Sequence, residues 1–109
     1  MNIADDPAHK SKYNPPMAQK LADSQVGQHL GKLKGWTRRG DEITKTFNFK
    51  NFYETMSFVN AVAHIANKLD HHPDMEVGYN KLTIRFSTHS VGGLSENDFV
   101  AAGKIDQLS

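Results

Sequence analysis

An α+β domain, a four-stranded antiparallel sheet with three helices packed on one face in the order α-β-β-α-β-β-α, is the fold class this sequence predicts. Three observations predict it. Apolar residues recur at three- and four-residue steps between Asn51 and Leu69, which is the period of a helix burying one stripe. On each side of that run lies a pair of short segments whose apolar residues alternate, the period of a strand with one buried side. Ser95 followed three positions later by Asp98 then opens a last apolar run, the signature of a capped helix start.

The elements follow in chain order. Met1 to Pro16 holds three of the four prolines and only Ile3 and Tyr13 as sizeable apolar residues, so it reads as a flexible arm ahead of a single domain over residues 17–109. From Met17, Leu21, Val26, Leu30 and Leu33 are spaced for a helix, which Gly27 and Gly31 weaken and Gly35 closes. Trp36 to Arg38 and Glu42 to Phe49 flank Gly40-Asp41 as a hairpin. In its second strand Ile43, Phe47 and Phe49 point to one face and Thr44, Thr46 and Asn48 to the other. Asn51 caps the central helix, whose stripe is Phe52, Met56, Val59, Ala63 and Ala66, widened by Phe58, Val62, Ile65 and Leu69. That helix ends near Asp70, because Pro73 cannot continue it and holds His72 extended. Met75, Val77 and Tyr79, then Leu82, Ile84 and Phe86, alternate on either side of Asn80-Lys81 as a second hairpin. Gly92-Gly93 turns the chain into the final helix with Phe99, Val100, Ala102 and Ile105. The free face and edges of such a sheet invite either charged blunting or a second copy of the chain.

Composition removes several classes of function. With 109 residues, 13 Lys and Arg against 12 Asp and Glu, and net charge +1, the chain forms one core and has no strong field for nucleic acid or anionic lipid. Thr46-Phe47-Asn48-Phe49-Lys50 lacks the glycines of a base-stacking signature, so its aromatics read as core. The absence of cysteine removes disulfides and thiolate chemistry. No apolar run reaches the length of a membrane span and no signal-peptide core is visible, so a soluble cytoplasmic protein is the expectation.

The chemistry concentrates in Asp70-His71-His72-Pro73 and in Ser87-Thr88-His89-Ser90. Histidine titrates nearest neutrality, and imidazoles delivered from two segments supply both an acid and a base. His71 and His72 stand at the C-terminus of the central helix, whose partial negative charge favours protonated imidazole. Adjacent residues in extended backbone diverge, so one of the two faces a pocket and the other its rim or the sheet. Asp70 reads equally as an orienting carboxylate and as a solvated turn residue. A metal site built from these histidines with Asp70 or Asp98 ranks below acid–base chemistry, and Asp98 is also explained by capping alone. His9 and His29 read as surface residues, and His64, among apolar neighbours, as an interior or edge histidine.

These residues resemble the pterin-4a-carbinolamine dehydratase family. The likeness runs through Gly35-Trp36, Phe47 to Phe52, Lys68 to Asp74, Val77-Gly78-Tyr79-Asn80, Ser87-Thr88-His89, Gly93 to Asp98 and Ile105-Asp106, and covers about Met17 to Asp106. It implies dehydration of 4a-hydroxytetrahydrobiopterin to quinonoid dihydropterin, the recycling step after aromatic amino acid hydroxylation, with no metal or organic cofactor. It implies His71, His72 and His89 as catalytic residues, with His71 and His89 as the acid–base pair. Asp70, His71, His72, Ser87, Thr88, His89 and Ser90 are then the substrate-binding residues, and Asp98 a supporting one. It further implies a homodimer or homotetramer, and a non-catalytic dimerisation or transcriptional coactivator module as the alternative on the same fold. Two positions depart from the family pattern. Asn67 stands where members commonly carry an acid, and Met75 where many carry an aromatic residue.

Overall fold

The computed structural model describes residues 18–109, so the arm expected over residues 1–16 and His9 within it lie outside the described residues. Its elements are helix α1 (Asp23–Leu30), strands β1 (Thr37–Arg39) and β2 (Glu42–Asn48), helix α2 (Phe52–Leu69), strands β3 (Asp74–Val77) and β4 (Lys81–Phe86), a 3-10 turn (His89–Val91) and helix α3 (Glu96–Asp106). The strands form one antiparallel sheet in the spatial order β1-β2-β4-β3, with the second hairpin folded back so that β4 lies beside β2.

Register puts the alternating apolar residues on a common face. Ile43 pairs with Phe86 and Phe47 with Leu82, and all four are buried together with Ile84. The helices cover this face with Val26 from α1, Val62 and Ala66 from α2, and Phe99, Ala102 and Ile105 from α3. The opposite face is polar. Thr46 and Thr83 exchange a 2.8 Å hydrogen bond there, and Arg85 lies 3.4 Å from Glu76. A face of that composition has no apolar surface that must leave water, which is why helices on one side suffice.

Lys45 is the exception on the covered face, where it sits opposite Ile84. Its Nζ donates to Asp106 Oδ1 at 2.9 Å and to the Lys34 carbonyl at 2.6 Å, and it lies 4.7 Å from the centre of the Phe47 ring. Trp36 Nε1 donates to the same Asp106 oxygen at 3.0 Å, so one carboxylate ties the end of α3 to β2 and to the start of β1. Gly35 makes the approach to Trp36 with φ +81°, a conformation that an L side chain rarely adopts.

Helix α1 is shorter than the spacing from Met17 to Gly35 predicts. At its start the Leu21 N–H is committed to the Leu94 carbonyl at 2.8 Å. At its end Lys32 and Leu33 make three-residue turn bonds to His29 and Leu30. Helix α2 runs as predicted, with Asn51 Oδ1 accepting from the Glu54 N–H at 2.9 Å. Its buried positions are Thr55, Val62 and Ala66, while Phe52 is 49% exposed and stacks on Tyr79. Thr55 tolerates burial because its hydroxyl lies within 3.0 Å of the Asn51 and Tyr79 carbonyls. His64 is exposed, not interior, since its helical position turns it away from the core. His29 is half-buried and stacks on Phe99 at 4.9 Å, so α3 covers a residue the sequence places at the surface.

Replacement of Asp106 by Ala leaves the Trp36 and Lys45 donors without their shared acceptor. Urea denaturation of Asp106→Ala should show a loss of about 1–3 kcal/mol in unfolding free energy.

Candidate active site

The candidate site is built where three chain reversals meet, the end of α2, the exit from β4 and the start of α3. Helix α2 stops because Asp70 adopts the left-handed conformation, φ +52° and ψ +42°. The Asp70 N–H bonds the Asn67 carbonyl at 3.3 Å and the His71 N–H reaches the Ala66 carbonyl at 3.1 Å, the paired bonds of a left-handed helix cap. Asp70 itself is exposed, and its place is explained by the tolerance of Asp for this conformation. Pro73 then prevents a return to helix, and the backbone enters β3.

The two histidines diverge as extended geometry requires. His71 turns inward, its side chain 15% exposed and its ring stacked on Phe86 at 5.7 Å with 9° between the planes. His72 turns outward, and its Nε2 lies 3.0 Å from Asn67 Oδ1, one turn back on α2. Inside, His71 Nε2 meets Asp98 Oδ1 at 2.6 Å.

Asp98 is fully buried, yet both of its oxygens are engaged. Its Oδ2 accepts from the Ser95 N–H at 2.9 Å and from Thr88 Oγ1 at 2.8 Å. Thr88 Oγ1 is also 2.7 Å from Ser95 Oγ, which in turn accepts from the Asn97 N–H at 3.2 Å. A hydroxyl has one proton to give. If Thr88 gives its proton to Asp98, Ser95 must give its own to Thr88, and the chain Asn97 N–H, Ser95 O–H, Thr88 O–H, Asp98 runs in one direction. Three donors converge on Asp98, and the acceptor left for His71 fixes the imidazole proton on Nε2 and leaves Nδ1 for whatever lies outside. The capping role of Asp98 and its role beside His71 are thus served by different oxygens of one carboxylate.

His89 follows Thr88 directly and begins the 3-10 turn. It is exposed and lines an open cavity of about 330 Å³ with Ser87, Gly92 and Gly93, closed on the far side by Arg39, Asp41 and Glu42 from the β1–β2 hairpin. His71, His72 and Asp70 are not among the residues lining it. The structure therefore connects His71 to His89 through Asp98 and the Thr88 backbone, at one end of the sheet, and not through a shared cavity wall. Ser90 is exposed on the turn, and the Thr88 hydroxyl is spent on Asp98 and Ser95. Among the described residues no three His, Asp or Glu side chains are gathered to hold a metal ion. Sequence reasoning misses Thr88 and Ser95 as the supports of Asp98. The signal lies in Ser95 standing three residues before Asp98, a spacing that helix capping alone already explains.

An antiparallel sheet covered by helices on one face, with paired histidines at a helix end and one of them braced by a buried carboxylate, defines a small α+β protein with imidazoles gathered at one end of its sheet. The sequence profile of the family described as pterin 4 alpha carbinolamine dehydratase matches residues 19–108, and the chain belongs to that family. A protein of Nitrosospira multiformis is 52% identical over 94 residues, covering 86% of this chain and 80% of its own. One of Bdellovibrio bacteriovorus is 49% identical over 102 residues, covering 90% and 85%. Both carry the name pterin-4-alpha-carbinolamine dehydratase provisionally. The crystal structure of a transcriptional coactivator/pterin dehydratase from Brucella melitensis superposes with a TM-score of 0.80 at 34% identity, over 83% of this chain and 98% of that one. A pterin dehydratase-like protein described as a RuBisCO assembly factor shares the fold alone, at a TM-score of 0.56 and 21% identity.

Two substitutions separate architecture from chemistry here. Asp70→Gly relieves the left-handed strain and should raise unfolding free energy by up to about 1 kcal/mol in a denaturant titration. Thr88→Val strips a donor from a buried carboxylate and should lower it by about 1–3 kcal/mol in the same measurement.

Proposed function

We propose that this protein dehydrates a 4a-hydroxytetrahydropterin, such as 4a-hydroxytetrahydrobiopterin, to the quinonoid dihydropterin and water, by histidine acid–base catalysis in the recycling of the reduced pterin. The observation that carries the reading is the His71–Asp98 pair at 2.6 Å, next to His72 and joined through Thr88 to His89, in a chain of this family.

The reaction needs two proton transfers at one ring. The 4a-oxygen must gain a proton to leave as water, and N5 must lose its proton so that its electrons form the C4a=N5 bond. One proton is delivered and one is taken, so the proton count of the protein is unchanged, and the acid and base regain their starting forms by proton exchange with water. His71 and His89 are the acid and base of this reading, and His72 binds the pterin beside them. Asp98 holds the His71 ring by its Nε2 proton, and when that ring takes up a second proton the resulting cation lies against a carboxylate. Asp70, Ser87 and Ser90 are further substrate-binding residues of this reading, and Thr88 serves it by bracing Asp98, because its backbone N–H and carbonyl are engaged with Gly93 and Val91.

The same reading carries a homodimer or homotetramer, for which β1 and β3 are the outer strands of the sheet. It also carries a cytoplasmic setting; among the described residues no helix is long and apolar enough to cross a membrane. A second reading, a non-catalytic dimerisation or coactivator module, is favoured by Asn67 standing where family members commonly carry an acid, and by the Brucella melitensis protein, whose name joins both roles.

Stopped-flow measurement of 4a-hydroxytetrahydropterin loss decides between them. The intact protein should accelerate the loss over buffer, and His71→Ala and His89→Ala should each reduce that acceleration by about 100-fold or more. No acceleration by the intact protein rejects the enzyme and leaves the binding module.

A further inference from the structure

We infer that Asn67 is a positioning residue that fixes the ring of His72 with its proton on Nε2, so that the nitrogen offered to the pterin is the lone pair of Nδ1. The inference rests on the dehydratase reading and adds to it the division of labour between the two adjacent imidazoles.

The geometry is a pair of contrasting partners. His71 Nε2 faces Asp98, a buried carboxylate whose other oxygen already accepts two hydrogen bonds. His72 Nε2 faces the Asn67 side-chain amide at 3.0 Å, with both residues exposed. An amide carries no charge, so it orients a ring without offering the compensation that a carboxylate gives to an imidazolium. The placement of the two groups follows from the backbone. Asn67 lies on the last turn of α2, and the left-handed Asp70 with extended His72 swings the ring back over that turn. The oxygen of Asn67 is the atom presented, and it can only accept. The Nε2 proton is then engaged, and Nδ1 has no partner among the described residues.

The consequence is a division of roles. His71, backed by Asp98, is the ring equipped to carry a proton as a cation. His72, backed by a neutral amide, is equipped as an uncharged hydrogen-bond acceptor, which suits holding an N–H of the pterin ring rather than delivering a proton to the 4a-oxygen. Asn67 thus acts on binding through His72 and does not itself touch the substrate.

Two measurements on the full chain test this. In protein labelled with ¹⁵N-histidine, long-range proton–nitrogen correlation reports which nitrogen of neutral His72 carries the proton. The proton should be on Nε2 in the wild type and in Asn67→Asp, which keeps the acceptor oxygen, and should redistribute in Asn67→Leu. In stopped-flow assays Asn67→Leu should raise KM about 10-fold, the scale of one lost hydrogen bond, with kcat within about twofold of wild type. A wild-type His72 protonated on Nδ1 overturns the inference, as does an Asn67→Leu enzyme with both the wild-type tautomer and the wild-type KM. If the wild type accelerates no dehydration, the functional reading falls on the kinetic arm, and the role in binding falls with it. The tautomer is still decided by the spectrum.

Discussion

A single buried carboxylate organises the candidate site. Asp98 has no exposed surface, and a charge in that position is costly unless each of its oxygens is engaged. The engagement is supplied by three chain segments at once, Ser95 from its own helix cap, Thr88 from the exit of β4, and His71 from the end of α2. Because the need to satisfy this group is energetic and not optional, it locks the relative positions of the segments that carry His71 and His89. The imidazole of His71 is held in one tautomer by the same bond that completes the shell of the carboxylate.

The other constraints feed into that junction. The left-handed Asp70 and Pro73 together end α2 within a few residues, which forces His71 inward onto Phe86 and His72 outward toward Asn67. Phe86 is in turn placed by its register with Ile43, so the sheet pairing that builds the core also sets the floor under the His71 ring. Lys45 and Trp36 share Asp106, and this fastens the tail of the helix whose first turn carries Asp98. The distance between the two ends of α3 is bridged by the apolar contacts of Phe99, Ala102 and Ile105 with the sheet. Stability and site geometry therefore draw on the same helix.

The strands and central helix are legible in the residue pattern because alternation at Ile43 and Phe47, and at Leu82, Ile84 and Phe86, reports directly which side of a strand leaves water. The stop at Asp70 is legible from Pro73, though not the left-handed conformation that accomplishes it. Spacing alone overextends helix α1, since the bond from Leu21 to Leu94 competes with helix and joins residues far apart in the chain. His29 and His64 exchange their expected degrees of burial for a related reason. A residue's spacing says which stripe it joins, but only the neighbouring element, here Phe99 of α3, says whether that stripe is covered.

By itself the sequence determined the order of elements, the covered face of the sheet and the helix caps at Asn51 and Ser95, and it singled out the three histidines proposed for the chemistry. These are local properties, carried by period, by proline and by side chains that bond backbone a few residues away. The tertiary structure alone decided that the oxygen of Asp98 left over from capping turns to His71, that Thr88 spends its hydroxyl inward, and that Asn67 receives His72. The hydrogen bond between His71 and Asp98 joins residues that the chain separates by a strand pair and a turn, and no pattern within either segment encodes the direction in which the free oxygen will point.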